Sequence, residues 1–461
     1  MLHSKEDAGV SSPVGHVASA GASGSAQSAA GDPPATKDDE RLGEWTWRSG
    51  YALAFLTLIY AFNTADRNVF GLLMPLMKAD LKLSDTTLGL MSGFAFSCFY
   101  AIAGLPVAYL SDRWSRRNII AIGFAVWSLM TVLTGFARNA VHLAAARFML
   151  GAGEAGGLAP STSMISDLFG KRRRTVALSM MQSANSLGIF VAFPVIGWVA
   201  AQHGWRYAYV VAGLPGFLLA IVFFLTVREP RRGHVDGEVR APGGLAGDGF
   251  IATIRRLLAS RKYVLAMAAS TLVGVSLSGV QTWLPAFLMR VHHLHPGEVG
   301  AYIGALRGPA GIAGALSGGL VTNWFARRDE RWLAWTPALF MLMIAASDIL
   351  LLTSSSGWGW KAGTALDTFF SSAQVGPVFG LLLAGADSRT RAMATAVTML
   401  FLNLFGLAGG PLLVGALNDV LHPAFGDVAI RYSMLAAAAG SVLAALLCAS
   451  IEGRRPAQKR A

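Results

Sequence analysis

Seven ionisable residues stand where a chain rarely tolerates them. Asp66, Arg67, Arg147, Glu154, Arg307, Asp348 and Asp367 each fall inside a long apolar run. In a bilayer such a side chain costs at least about 2.5–3.5 kcal/mol, so it needs a partner or a cavity. A desolvated carboxyl holds its proton more tightly, and a nearby guanidinium loosens it again. Acids and arginines mixed in this way can bind and release protons. The competing reading is a static buried ion pair that fixes helix register.

Spacing sharpens the first reading. Arg147 and Glu154 are seven residues apart and lie nearly on one face of a helix. Asp66 lies roughly 22 Å into its run, and Arg147 roughly 11 Å into a run that crosses in the opposite sense. In an apolar core of about 30 Å these depths match. Asp66 can therefore face Arg147 if the two runs line one cavity, with Glu154 about 10 Å deeper. Asp66 and Glu154 are the expected proton-binding acids, and Arg67 and Arg147 their movable counter-charges.

Arg307 has no acid within one helical turn. It either attracts an anionic head group or pairs with Asp367 or Asp348 on another helix. Asp348 lies near the end of its run and reads as structural or exposed. Enzyme chemistry finds little support. A zinc-binding His-Glu-x-x-His pair and a phosphate-cradling Gly-x-x-x-x-Gly-Lys-Ser/Thr loop are both missing from the sequence. His292, His293 and His295 share a loop with Glu298 alone, which reads as solvated, so no metal is expected. Cys98 and Cys448 sit in apolar runs and read as packing residues.

The elements that position these residues follow from composition. Of 461 residues, 54% are hydrophobic and 14% charged, against about a quarter charged in soluble chains. Runs long enough to cross a bilayer recur throughout. Spans are expected at 48–77, 86–111, 118–137, 140–167, 174–201, 206–227, 262–290, 297–325, 332–353, 359–386, 391–420 and 428–451. The net charge of +12 does not indicate nucleic acid, because the basic residues cluster between spans. Counting basic residues at span edges with the adjoining connection, even-numbered connections and both tails hold 28 Lys and Arg; odd-numbered connections hold 7. The positive-inside rule puts both termini in the cytoplasm.

The domain order is then a disordered tail (1–46), a six-helix half (47–227), a cytoplasmic linker (228–261), a second six-helix half (262–452) and a short tail (453–461). The linker is expected to carry an amphipathic surface helix at 249–259. The halves repeat. Asp112, Arg113, Trp114, Ser115, Arg116 and Arg117 follow span 2, and Asn323, Trp324, Phe325, Ala326, Arg327 and Arg328 follow span 8, an offset of 211 residues. Transporter folds commonly contain such repeats, with the substrate site between them.

The loop from Asp112 to Arg117 resembles motif A of the major facilitator superfamily, and the run from Arg147 through Gly151, Gly153 and Glu154 to Gly156 resembles its motif B. Gly204, Trp205 and Arg206 are also similar to that superfamily. Asn63 to Arg67, Leu83 to Thr86, Gly153 to Ala155 with Pro160, and Asn403 to Gly406 with Gly410 and Pro411 resemble the spinster family of lipid transporters. Ala108 and Ser115 depart from the usual glycines of motif A, and Asn323 replaces an acid.

The resemblance implies an all-α membrane protein of twelve helices in two pseudo-symmetric halves. It implies a proton-coupled secondary transporter of a bacterial inner membrane, working by alternating access. The cargo it implies is an amphiphile such as a lysophospholipid or sphingoid lipid; small organic anions or drugs are the alternative. Arg307, Asn63, Gln374 and Asn403 form the expected substrate-binding set. Asp112, Arg113, Arg116 and Asp167 form the expected cytoplasmic gate, with the arginines pairing to Asp167 and latching the halves; a basic topology anchor is the plainer reading. The proton gradient replaces any cofactor, membrane lipids are the other partners, and a monomer is expected.

Overall fold

The computed structural model describes residues 45–230, 250–384 and 391–451. The expected tails, apart from Trp45 and Thr46 at one end, lie outside the described residues, as does most of the linker. Twelve helical rods fill the rest. The first half holds α1 (Trp47–Leu81), α2 (85–113), α3 (Arg116–Thr134), α4 (140–168), α5 (171–203) and α6 (205–226). The second holds α7 (Arg261–Val291), α8 (Pro296–Ala326), α9 (Trp332–Thr353), α10 (Gly357–Ala384), α11 (391–425) and α12 (Ala429–Ala449).

Local chemistry sets the rod ends. Thr46 accepts from Ser49 N at 3.1 Å while Ser49 Oγ accepts from Thr46 N at 2.9 Å, a reciprocal cap that starts α1. Ser84, Ser115, Asn139 and Ser260 cap α2, α3, α4 and α7 with their side-chain oxygens. Between α5 and α6 the chain turns at Gly204, whose φ of 81° belongs to glycine. Two rods loosen into one π turn each, Met91–Ala95 in α2 and Leu402–Leu407 in α11. Both turns lie where α2 and α11 cross. There a Cβ on Gly93 would meet the Ala408 carbonyl oxygen at 2.4 Å, so the backbones themselves touch. The surface helix forms at Phe250–Ala259, with Leu257 buried and Arg255 and Arg256 exposed.

Three apolar cores hold the rods. Among the described residues, one joins the halves at the rod ends away from Trp47 and Ala449, which we call the outer ends, where Phe70, Met74, Trp205 and Tyr209 meet Trp283, Phe287 and Trp360. The other two stay within single halves: Leu56, Phe124, Trp127 and Phe169 in the first, Tyr263, Met267, Met341 and Leu382 in the second. The halves are therefore welded on the outer side, while each inner end has its own core. Large apolar side chains such as Ile102, Leu225, Leu320 and Leu446 stay exposed on the outside of the bundle, as lipid-facing rods require.

Candidate functional site

The charged residues of α1 and α4 come together. Asp66, Arg147 and Glu154 are at most 3% exposed. Arg67 donates from Nε to Glu154 Oε2 at 2.6 Å, and its guanidinium lies 4.9 Å from the Phe96 ring centroid and 5.0 Å from that of Tyr100. Asn63 sits beside Glu154. Asp66 has Glu154, Thr131 and Arg147 as neighbours, and its Oδ2 has no hydrogen-bond partner. Arg147 stacks 4.0 Å from the Phe70 centroid and leaves Nε unpartnered. The sequence spacing placed Asp66 opposite Arg147. In the structure the bonded pair is Arg67 with Glu154, because α1 turns the two adjacent side chains to different sides.

This cluster faces a cavity of about 160 Å³ between the halves. Arg67, Phe96 and Arg147 line it from one side; Ser278, Gln281 and Pro411 line it from the other. A larger groove of about 640 Å³ runs between α1 and α5. Leu53, Leu58, Phe62, Leu187 and Val191 make it apolar, and it ends at Ala65, next to Asp66.

None of the four expected substrate-binding residues lines the cavity. Asn63 joins the acid cluster. Arg307, 5% exposed, donates to Gln281 Oε1 at 2.6 Å. Gln374 is buried in α10. Asn403 donates to Met399 O of its own helix at 2.7 Å, serving the backbone loosened by the π turn. Asp348, expected to be structural or exposed, is fully buried.

At the inner face Arg116 is a hub. It bonds Asp167, and its Nε donates to Glu229 Oε1 at 2.8 Å. Ser163 and Pro230 accept from the same guanidinium. Ser163 and Asp167 belong to the first half and Glu229 and Pro230 to the start of the linker, so this pairing braces α3 and α4 against the chain just after α6. Arg113 points away and stacks 3.6 Å from the Tyr109 centroid; the side chain of Asp112 lies outside the described residues. Burial by itself would raise the proton affinity of Glu229. Hydrogen bonds from Arg117 N, Arg116 and Ser115, with the Arg116 charge, outweigh it and hold the carboxyl below the usual range.

The contacts that do bridge the halves are at the outer face. Arg290 of α7 grips Asp85 of α2 with two bonds of 2.6 and 2.8 Å. Lys78 adds a contact of 2.8 Å. Asp419 of α11 accepts from Asp85 N at 3.1 Å and Thr86 N at 2.8 Å. Sequence reasoning missed this latch because charges at span ends ordinarily read as solvated anchors. The one available signal was an acid, Asp85, directly after a capping serine at the mouth of a span.

Comparison with known proteins fits this architecture. The Major Facilitator Superfamily model matches residues 56–409. The chain belongs to that superfamily. It is a membrane-spanning transporter and not an enzyme. Among solved structures it is similar to a bacterial homologue of the human lysosomal transporter Spinster in an inward-facing, unoccupied conformation. The TM-score is 0.77 at 25% identity, covering 88% of this chain and 97% of that one. It is 28% identical to an MFS-type efflux pump of Mycolicibacterium smegmatis over 87% of this chain and 92% of that protein. It is 26% identical to the sphingosine-1-phosphate transporter SPNS2 of Danio rerio, covering 81% and 77%. A probable galactarate/D-glucarate transporter of Bacillus subtilis, GudP, is 26% identical, covering 67% and 72%. The chain is thus a relative of spinster transporters, within a superfamily of varied cargo.

Proposed function

We propose that this transporter couples proton movement to the alternating-access transport of lipid-like amphiphiles, such as lysophospholipids or sphingoid lipids. The observation that carries the reading is the apolar groove along α1 ending beside the buried Asp66, Arg147 and Glu154 and the half-buried Arg67. An acyl chain can lie in the groove while a charged head group reaches the arginines of the cavity. Two acids share two arginines, and only Arg67 with Glu154 is bonded. When Asp66 loses a proton, Arg147 is the cation beside it; when Asp66 holds one, Arg147 is free for an anionic head group. Proton and cargo then compete for one guanidinium.

Asp112 and Arg113 would serve as the inner gate in the outward-facing state, standing on the brace that Arg116, Asp167 and Glu229 provide. Arg307, Asn63, Gln374 and Asn403 would reach cargo only after the rods rearrange. No cofactor is called for beyond the proton gradient. The chain would act as a monomer in a bacterial inner membrane with both termini cytoplasmic, as its basic loops favour; reporter fusions to each terminus test that orientation. Uptake of lysolipid into proteoliposomes under a pH gradient tests the coupling. Asp66→Asn and Glu154→Gln are expected to abolish gradient dependence, and unchanged dependence in both would sink the proposal. A second reading, small organic anions, is favoured by the small, arginine-lined cavity. Thermal-shift screening against lysolipids, sphingoid bases, organic acids and drugs separates the two, since ligands that bind the folded state raise its melting temperature.

A further inference from the structure

The second half has its own buried acids, and the coupling scheme above does not use them. Asp348 of α9 is 0% exposed, and neither of its oxygens has a hydrogen-bond partner. Asp367 of α10 is 3% exposed, with Oδ1 unpartnered. The two acids are near enough to repel each other when charged. An ionised carboxylate with both oxygens unbonded in an apolar interior is heavily penalised. The economical state of such a pair is one that keeps a proton.

The surroundings are consistent with this. Arg307 of α8 is close enough to Asp367 to feel its charge. It nevertheless bonds the neutral Gln281 of α7 at 2.6 Å and leaves its own Nε unpartnered. Gln281 Nε2 reaches Asp367 Oδ2 only at 3.5 Å. An ionised Asp367 would be the stronger acceptor for that guanidinium, so the bonding of Arg307 to Gln281 instead is an arrangement that a neutral Asp367 fits. The other charged and titratable groups of the surrounding rods lie toward their ends. Lys361 and Tyr302 meet each other at 4.3 Å near the outer ends of α10 and α8, where Glu298 also lies. Arg290 is held by Asp85 at the outer end of α7, and Arg261, Lys262 and Tyr263 open that rod at its inner end. On α12, Arg431 and Tyr432 lie at the outer end, and Cys448 bonds Ala334 O at the inner end. Arg391 opens α11 at its inner end.

We propose that Asp348 and Asp367 form a second proton-binding site, closed off from the central cavity by Gln281 and switched by Arg307. Gln281 lines the cavity, so its movement would open the site. A proton leaving Asp367 for the cavity leaves a carboxylate that Arg307 can take up by releasing Gln281. A returning proton restores the observed bonds. The inference rests on the proton-coupled reading, but it concerns a different half and needs no cargo to be known.

Infrared titration of the purified protein tests it through the carbonyl stretch of protonated carboxyls. The wild type is expected to show such bands near neutral pH that fade as pH rises. Asp348→Asn and Asp367→Asn should each remove part of that intensity, while Asp66→Asn leaves the same part in place. Arg307→Gln should carry the fading to higher pH, because the cation that accepts the new carboxylate is gone. Bands and titration unchanged in both Asp348→Asn and Asp367→Asn would overturn the proposal. So would a failure of Asp348→Asn to fold, because asparagine matches the protonated acid in shape and only an ionised native residue would miss the charge. Failure of the first-half coupling reads out separately, as gradient dependence that survives Asp66→Asn and Glu154→Gln.

Discussion

Replacing Arg290 with methionine should open the outer face. Asp85 is 3% exposed at its side chain and Arg290 15%, so the pair is largely shielded from water in the closed state. Removing one partner of a buried pair costs about 3–5 kcal/mol. Lys78 stays 2.8 Å from Asp85 Oδ1 and offsets part of that. In an outward-open state both groups would be hydrated and their loss would cost little. The net bias toward opening is then about 2–3 kcal/mol, or roughly 30- to 150-fold in the open-to-closed ratio at about 1.4 kcal/mol per tenfold. Thr282 reports the change, because it lines the cavity and its carbonyl oxygen closes against Gly71, where a Cβ would meet it at 2.6 Å. Thr282→Cys in a Cys98→Ser, Cys448→Ser background would be labelled from outside by an impermeant maleimide. The labelling rate should rise by that factor with Arg290→Met and by much less with Arg290→Lys. Equal rates with arginine and methionine would refute the latch.

Other substitutions probe the frame around the site. Gly93→Ala puts a methyl 2.4 Å from the Ala408 carbonyl oxygen. Overpacking of this kind costs about 1–3 kcal/mol, so the same labelling assay should show the outer face opening. Gly204→Ala forces a side chain into a backbone region that only glycine adopts freely, costing about 1–3 kcal/mol and lowering the thermal midpoint. Glu229 loses its proton more readily when folded than when unfolded. Its stabilisation is therefore complete above the unfolded-state value and is lost as pH falls through the folded one. Glu229→Gln should lower the thermal midpoint near neutral pH and flatten its decline toward acid; an unchanged acid slope would exclude the brace.

Periodicity and depth carried much of this into the sequence. Arg147 and Glu154 are on one face because seven residues make nearly two turns, and Asp66 was brought opposite Arg147 by matching insertion depths. Helix rotation was not legible. Asp66 and Arg67 are neighbours in the chain, and one-residue steps turn about 100°, so depth alone could not say which acid takes which arginine. Asp348 illustrates the converse. Its place near a rod end left structural and exposed readings open, and α8, α10 and α12 surround α9 and bury it. The Arg116 hub was legible as chemistry and not as geometry: its partner Asp167 was found, but the brace needed Glu229, more than a hundred residues away in the chain.

Length, apolarity and charge together separate the working rods from the supporting ones. Six described stretches are long and apolar enough to cross a membrane, and they cover α2, α3, α5 with α6, α7, α9, and α11 with α12. The rods left over are α1, α4, α8 and α10. These are the rods that carry Asp66, Arg67, Arg147, Glu154, Arg307 and Asp367, and α4 is further broken between Glu154 and Leu158. Each such residue would cost about 2.5–3.5 kcal/mol against lipid, so a rod that keeps one must be enclosed by neighbours able to face lipid instead. Asp348 is the exception that fits: it is a buried acid on an otherwise apolar rod, near enough to the acid of α10 to interact with its charge. The rods set apart by their charges, or in α4 by its break, are thus the ones that hold the chemistry, and the unbroken apolar rods are the wall that makes the chemistry tolerable.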